Sequence, residues 1–293
     1  MRRHELTDEQ WQVVEPLLPP SGVRGRPRVD DRRVVNGMLF KAKTGISWRD
    51  LPERYGPWKT VYNRFWRWSR NGTLAALVAR VRVVAEAVDE LDREVSVDSS
   101  IVRAHQHAAG ARHAVDPGAG GGARSRGGQG EPGDHAIGRS RGGPSTKIHL
   151  ACDGHGRPLS VVLTSGNVND CTMFTQVMDG IRFRRPGRGR SGARPRRVLA
   201  DKGYSSRAIR AWLRARRIPT TIPERRDQQA GRQRRGRAGG RPPVFDPVAY
   251  RRRNVVERCF NRLKQFRAIA TRYDKTALSF QAMIDLATLT LWL

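Results

Sequence analysis

Three carboxylates occupy positions where an acid has to be explained. Asp98 interrupts the apolar run Glu94–Arg103 (EVSVDSSIVR), in which Val95, Val97, Ile101 and Val102 give a β-branched, partly alternating pattern. An acid in the middle of such a strand is unfavourable unless it is paired or binds a cation. Asp201 follows the short apolar strand Arg196–Ala200 and precedes Lys202-Gly203-Tyr204, which holds it at a strand's C-terminal end, the usual place for chemistry in an α/β sheet. Glu257 lies within YRRRNVVERCFNRLK, Tyr250 to Lys264. At about 100° per residue, Tyr250, Arg253, Glu257 and Lys264 fall inside an arc of roughly 60°, with Asn254 and Asn261 at its edge. Val255, Val256, Cys259, Leu263 and Phe266 form the opposite, apolar face. A polar strip on a helix is ordinarily a solvated face. This one presents one acid, two cations, a phenol and two amides together, and its meaning depends on the other two acids.

The elements that must position these residues are legible in chain order. Leu6–Leu18 reads as a first helix, with Thr7 and Gln10 spaced as a capping box. Asp30 or Asp31 caps a second, running to about Lys43 with Val34, Val35, Met38, Leu39 and Ala42 on its buried side. Gly25-Arg26-Pro27-Arg28 between them is read as a plain linker. After Pro57, allowed in a helix's first turn, WKTVYNRFWRWSR interleaves aromatics with basic residues. The pattern is that of a helix-turn-helix whose last helix enters the major groove. Most of its tryptophans are expected in the core, leaving Lys59, Asn63, Arg64 and Arg67 as the DNA-facing set. A further helix spans Leu74–Leu91. Beyond the Asp98 strand, Thr146–Cys152 and Leu159–Thr164 flank Asp153-Gly154-His155-Gly156 as a β-hairpin. A helix to about Ile181, the Asp201 strand, a helix over Ser205–Arg217, a strand at Ile218–Ile222, the Glu257 helix and a packing helix at Leu278–Leu293 follow.

This order, with acids at the first strand, the fourth strand and a later helix, is that of an RNase H-like domain. The expected fold is α/β: a small all-α helix-turn-helix-like domain at 1–90, then an RNase H-like catalytic domain at 91–293, a mixed sheet flanked by helices. Flexible basic insertions are expected at about 104–144 and 224–247, where Gly, Ala, Arg and Pro cannot build a core. His105 and His107, at the start of the first, lack an evident third metal ligand and are read as contacting the DNA backbone or exposed to solvent.

Lysine and arginine outnumber acids 56 to 27 in 293 residues, a formal charge of +29. That excess points to a polyanion, most simply nucleic acid, although the Ala, Gly, Arg and Pro bias is also what a GC-rich gene produces. The 3 cysteines show no CxxC or paired spacing, so neither a zinc module nor a disulfide framework is suggested. MRRHELTDEQ lacks the apolar core of a signal peptide, and the tail Ala282–Leu293, broken by Asp285, is too short to span a bilayer. A soluble protein in a reducing cytoplasm is expected.

The chain resembles bacterial insertion-sequence transposases of the DDE class, in the insertion sequence five family. The likeness runs through ELTDEQW, GISWRDLP, VDSSIVRAH, the TKIHLACDGHGRPL hairpin, SGNVND and LADKGY, and the family's Tyr, Arg, Glu, Lys signature is filled by Tyr250, Arg253, Glu257 and Lys264. The resemblance implies a catalytic triad of Asp98, Asp201 and Glu257 holding two Mg2+ ions, with Mn2+ tolerated; Asp98 would bridge both ions. Two such ions about 4 Å apart neutralise the entering and leaving oxygens of an in-line displacement. It further implies that water cuts the DNA at each element end, that the freed 3′-hydroxyl attacks target DNA, and that no covalent protein intermediate forms. Arg253 and Lys264 would hold phosphates, and Tyr250 would orient backbone or base. The implied partner is double-stranded DNA, bound by at least a dimer, in a bacterial cytoplasm at the nucleoid. Two alternatives stay open: a catalytically silent DNA-binding regulator derived from a transposase, and a nuclease or recombinase using Tyr204 or Tyr250 covalently.

Overall fold

The computed structural model describes residues 4–20, 29–87, 92–111, 131–181 and 194–293. The capping box forms as expected: Thr7 Oγ1 accepts from the Gln10 amide at 3.1 Å, and Gln10 Oε1 accepts from the Thr7 amide at 3.1 Å. It starts α1 (Asp8–Val14), which is shorter than expected because Pro16 cannot continue the hydrogen-bond ladder and the chain tightens into a 3-10 turn at Glu15–Leu17. Asp30 caps α2 (Asp31–Thr44), which ends where Gly45 takes a φ of 71°. Two 3-10 turns, Trp48–Asp50 and Glu53–Tyr55, lead to α3 (Trp58–Arg70), followed by α4 (Thr73–Ala87). These helices turn Val35, Met38, Val61, Phe65, Trp68, Leu74 and Leu77 into a shared core.

The α/β part begins with β1 (Glu94–Ala104), then α5 (Gln106–Ala109), β2 (Gly138–Ser140), β3 (Gly143–Cys152), β4 (Pro158–Ser165) and α6 (Asp170–Asp179). It continues with β5 (Arg197–Ala200), α7 (Arg207–Ala215), β6 (Thr220–Thr221), α8 (Arg226–Arg234), α9 (Pro247–Arg252), α10 (Asn254–Lys264), α11 (Arg267–Ala270), β7 (Thr271–Arg272) and α12 (Ala277–Trp292). β1 is central. It is antiparallel to β3, which is antiparallel to β4, and parallel to β5, which is parallel to β6. β2 extends the edge of β3, and β7 pairs with the far end of β1. Three antiparallel strands joined through the first to two parallel ones, with helices on the faces, make the expected RNase H-like mixed sheet.

α12 buries residues around most of its circumference, including Phe280, Met283, Ile284, Leu286 and Leu289. It packs against α2, α3 and α4 and also against β4, so the apolar core runs without a break from the N-terminal helices into the sheet.

The described parts of both basic insertions depart from the irregular chain expected of them. Residues 112–130 lie outside the described residues, but 131–144 are folded onto the domain. The buried Arg272 holds them: its Nη1 donates to Ala136 O at 3.2 Å and Thr146 Oγ1 at 2.6 Å, its Nη2 to His135 O at 2.8 Å and Lys275 O at 3.1 Å, and its Nε to Asp274 O at 2.9 Å. Glu131 accepts from the first free amides of α12, Ala277 N at 2.6 Å and Leu278 N at 3.0 Å, where a helix N-terminus favours a carboxylate. In the second insertion, 225–239 forms α8 and a 3-10 turn at Gly236–Gly239. The helix read as continuous from Tyr250 to Lys264 is interrupted at Arg253, between α9 and α10.

Candidate active site

The sheet register brings the first two acids together. Val97 of β1 lies opposite Ala200 of β5 in the parallel pair, so the next residues along each strand, Asp98 and Asp201, emerge side by side where β5 ends. Gly203 is needed beside them, since a Cβ there would come within 2.8 Å of Asp201 Oδ1. Asp98 accepts from the Ser99 amide at 2.8 Å. Burial raises its carboxyl above the ordinary range; the Ser99 amide and Arg253 pull it back down, and Asp201 adds to the rise.

The third acid arrives on α10, which docks on β1 and β3 through Val255, Val256, Cys259, Phe260 and Leu263. Each such side chain, fully buried, stabilises the packed state by roughly 1.5–3 kcal/mol. The strip predicted from helical phase faces Asp98. Arg253 Nη1 donates to Asp98 Oδ2 at 3.0 Å and its Nη2 to Glu257 Oε1 at 2.6 Å. Lys264 Nζ donates to Ser100 Oγ at 2.6 Å, two residues along the same face of β1, and burial lowers its pKa. Tyr250 stacks at 5.3 Å on Phe245, with the Arg253 guanidinium 5.7 Å from its ring. The break at Arg253 is pinned on its other side by Arg252, which grips Glu94 at the start of β1 with two bonds of 2.7 and 2.8 Å.

Arg253 and Lys264 were expected to hold phosphates; in this structure they hold Asp98, Glu257 and Ser100. Among the described residues, no three His, Cys, Asp or Glu side chains are close enough to share one metal ion. The donor set nevertheless suits a hard divalent cation, which takes carboxylate oxygens and keeps waters in its shell. Asp98, Asp201 and Glu257 are the candidate ligands, and the Arg253 guanidinium stands between Asp98 and Glu257. Tyr204 is 2% exposed, and burial, reinforced by Asp170, Asp98 and Asp201, pushes its phenol far above the usual range. A phenol so held is a poor nucleophile, which argues against the covalent-tyrosine reading at this position.

On α3, three of the four expected DNA-facing residues, Lys59, Asn63 and Arg67, are exposed. Arg64 is not: it is 9% exposed, pairs with Asp31 of α2 and lies 5.5 Å over the Trp68 ring. The reason is phase, for Val61, Arg64, Phe65 and Trp68 share the buried side of the helix. Sequence reasoning passed over Trp66, which is 45% exposed and carries Arg70 4.3 Å over its ring. Ser100 was also passed over, although its place two residues after Asp98 signalled a shared strand face.

Asp98 within the central strand, Asp201 just past the end of the parallel strand beside it, and Glu257 on a helix, joined to Asp98 through Arg253, make up the acid pattern that names the DDE class. Residues 89–292 match the family model "Transposase DDE domain", and residues 6–78 match "Putative transposase of IS4/5 family". The chain belongs to the DDE transposase family. It is 35% identical over 152 residues to "Putative transposase for insertion sequence element IS402" of Burkholderia cepacia, covering 52% of this chain and 64% of that one. It is 43% identical over 112 residues to "Uncharacterized protein y4sN" of Sinorhizobium fredii, covering 37% and 84%. Among solved structures, "Mos1 transposase paired-end complex with left transposon end" aligns at 13% identity and a TM-score of 0.25 over 85% of this chain and 82% of that one.

Proposed function

We propose that the protein is a metal-dependent DNA transposase that binds the terminal inverted repeats of an insertion sequence, hydrolyses phosphodiester bonds at the element ends and joins the resulting 3′-hydroxyl to target DNA. What supports this reading is that the register of β1 and β5 puts Asp98 beside Asp201, while Arg253 joins Asp98 to Glu257 of α10. Bound divalent ions would supply charge neutralisation on the entering and leaving oxygens. In the cleavage step a water oxygen forms a bond to phosphorus as the P–O3′ bond breaks, and the 3′ oxygen leaves with a proton as a hydroxyl. In the joining step that hydroxyl forms a new bond to a target phosphorus, releasing the target's own 3′ oxygen. Arg253 and Lys264 stand beside these acids and would turn to phosphate oxygens once DNA is bound; Tyr250 would border the same strand. Lys59, Asn63 and Arg67 present one exposed face of α3 to duplex DNA. Pairing two element ends calls for at least two copies of the chain.

Asp98→Asn, Asp201→Asn and Glu257→Gln should each abolish Mg2+-dependent nicking of an element-end duplex while leaving its binding intact. Undiminished cleavage by any of these variants would remove the triad from the reaction. A regulator derived from a transposase would instead show no cleavage in the unmodified chain.

A further inference from the structure

The segment 225–241 carries seven arginines and one aspartate, yet it is ordered as α8 and a 3-10 turn with no buried residue in either. Short helices are marginal in water and owe most of their stability to a packed apolar face, which α8 lacks. Its attachment is polar. Gln228 Nε2 donates to Ser205 O at 2.6 Å, and Gln228 Oε1 accepts from Ser205 Oγ at 2.7 Å. Arg232 is paired with Glu224, and Arg225 lies 3.5 Å from Asp227. For Arg226, Arg234, Arg235, Arg237 and Arg241 no carboxylate partner stands among the described residues. Ser205 directly follows the turn that Asp201 opens, so the anchoring point of α8 is four residues from a candidate catalytic acid. Between the helix and that turn lies an open groove of about 510 Å3 lined by Lys202, Glu224, Arg225, Arg226, Asp227 and Gln229.

We propose that 225–241 is a DNA-backbone clamp: a cationic arm, tethered beside Asp201 through Gln228, whose unpaired arginines contact phosphates of duplex DNA next to the bond being cut. Like charges this dense repel one another along a helix, and a row of phosphates relieves that repulsion while leaving the arm's position set by Ser205. Guanidinium groups suit phosphate because their planar fork meets two oxygens at once. The inference rests on DNA being the substrate, as proposed above.

The test is equilibrium binding of the full chain, in EDTA so that no cleavage occurs, to a labelled element-end duplex over a series of KCl concentrations. Each phosphate contact contributes about 0.9 to the slope of log affinity against log salt. The combined variant Arg234→Gln, Arg235→Gln, Arg237→Gln should therefore flatten that slope by about 2 to 3, with the thermal melt unchanged because these side chains pack against nothing. Gln228→Ala keeps every charge but unties the arm, and should weaken binding about fivefold, the equivalent of roughly one lost hydrogen bond. A slope unchanged in the arginine variant, or full affinity in Gln228→Ala, overturns the clamp while the transposase reading stands. If the unmodified chain binds no duplex at all, both fall.

Discussion

Replacing Asp285 by asparagine should stabilise the protein, and more so as pH rises. Asp285 sits within α12, facing the groove lined by Val78, Ala79, Leu159 and Val161. Burial pushes its carboxyl from an ordinary 3.8 up to about 6, against a smaller opposing effect of the bond it accepts from Gln281 Nε2 at 2.9 Å. The folded state therefore holds this proton more tightly than the unfolded chain. Below the unfolded value the group costs nothing; as pH rises towards the folded value the folded state is progressively penalised, and above it the penalty is constant. Linkage between those two values gives about 3 kcal/mol at pH 8 and about half of that at pH 5. Asparagine keeps the oxygen that Gln281 bonds and carries no charge at either pH. The melting temperature of Asp285→Asn should accordingly exceed that of the unmodified chain by about 6 °C at pH 8, and by clearly less at pH 5. A gain that is the same at both pH values, or a loss at pH 8, would refute the assignment of a strained, ionised carboxylate at this position.

Two further outcomes follow from the ion pairs. Arg253→Gln frees Asp98 and Glu257 from the guanidinium that bridges them, so Mn2+ titration followed by paramagnetic resonance should show tighter binding in the variant while nicking falls; weaker Mn2+ binding would mean that Arg253 organises the acids rather than competing for them. Arg64→Ala should lower stability by about 3 kcal/mol, because it removes the Arg64–Asp31 ion pair at a largely buried contact, whereas Lys59→Ala should leave the melt unchanged and weaken duplex binding. Equal effects of both variants on DNA affinity, with no difference in melting, would return Arg64 to the DNA-facing set.

What could be read beforehand followed from local chemistry. Asp98 stood out because valines and isoleucine flank it, Asp201 because it ends an apolar run, and Glu257 because helical phase groups it with Arg253 and Lys264. The same phase argument, applied to α3, places Arg64 with Val61, Phe65 and Trp68, and so could have turned it inward. The break at Arg253 carries no glycine or proline to announce it; it coincides with two long-range pulls, Arg252 onto Glu94 and Arg253 onto Asp98. Residues 131–144 are fixed by Arg272, more than a hundred positions away, and α8 by Gln228 and the Arg232–Glu224 pair. Neither leaves a hydrophobic period to find, so composition alone made both segments look unstructured.

The position of α12 has a mechanical consequence. Because it packs at once on the helices that would grip DNA and on β4 of the sheet, force applied at α3 reaches the sheet directly through packed side chains. Tension in a bent or paired DNA end would be transmitted as strain across a stiff apolar joint towards the strands that carry Asp98 and Asp201. Softening that joint, for instance by opening a cavity at Phe280, is thus a means of asking whether the grip on DNA and the geometry of the acids yield together.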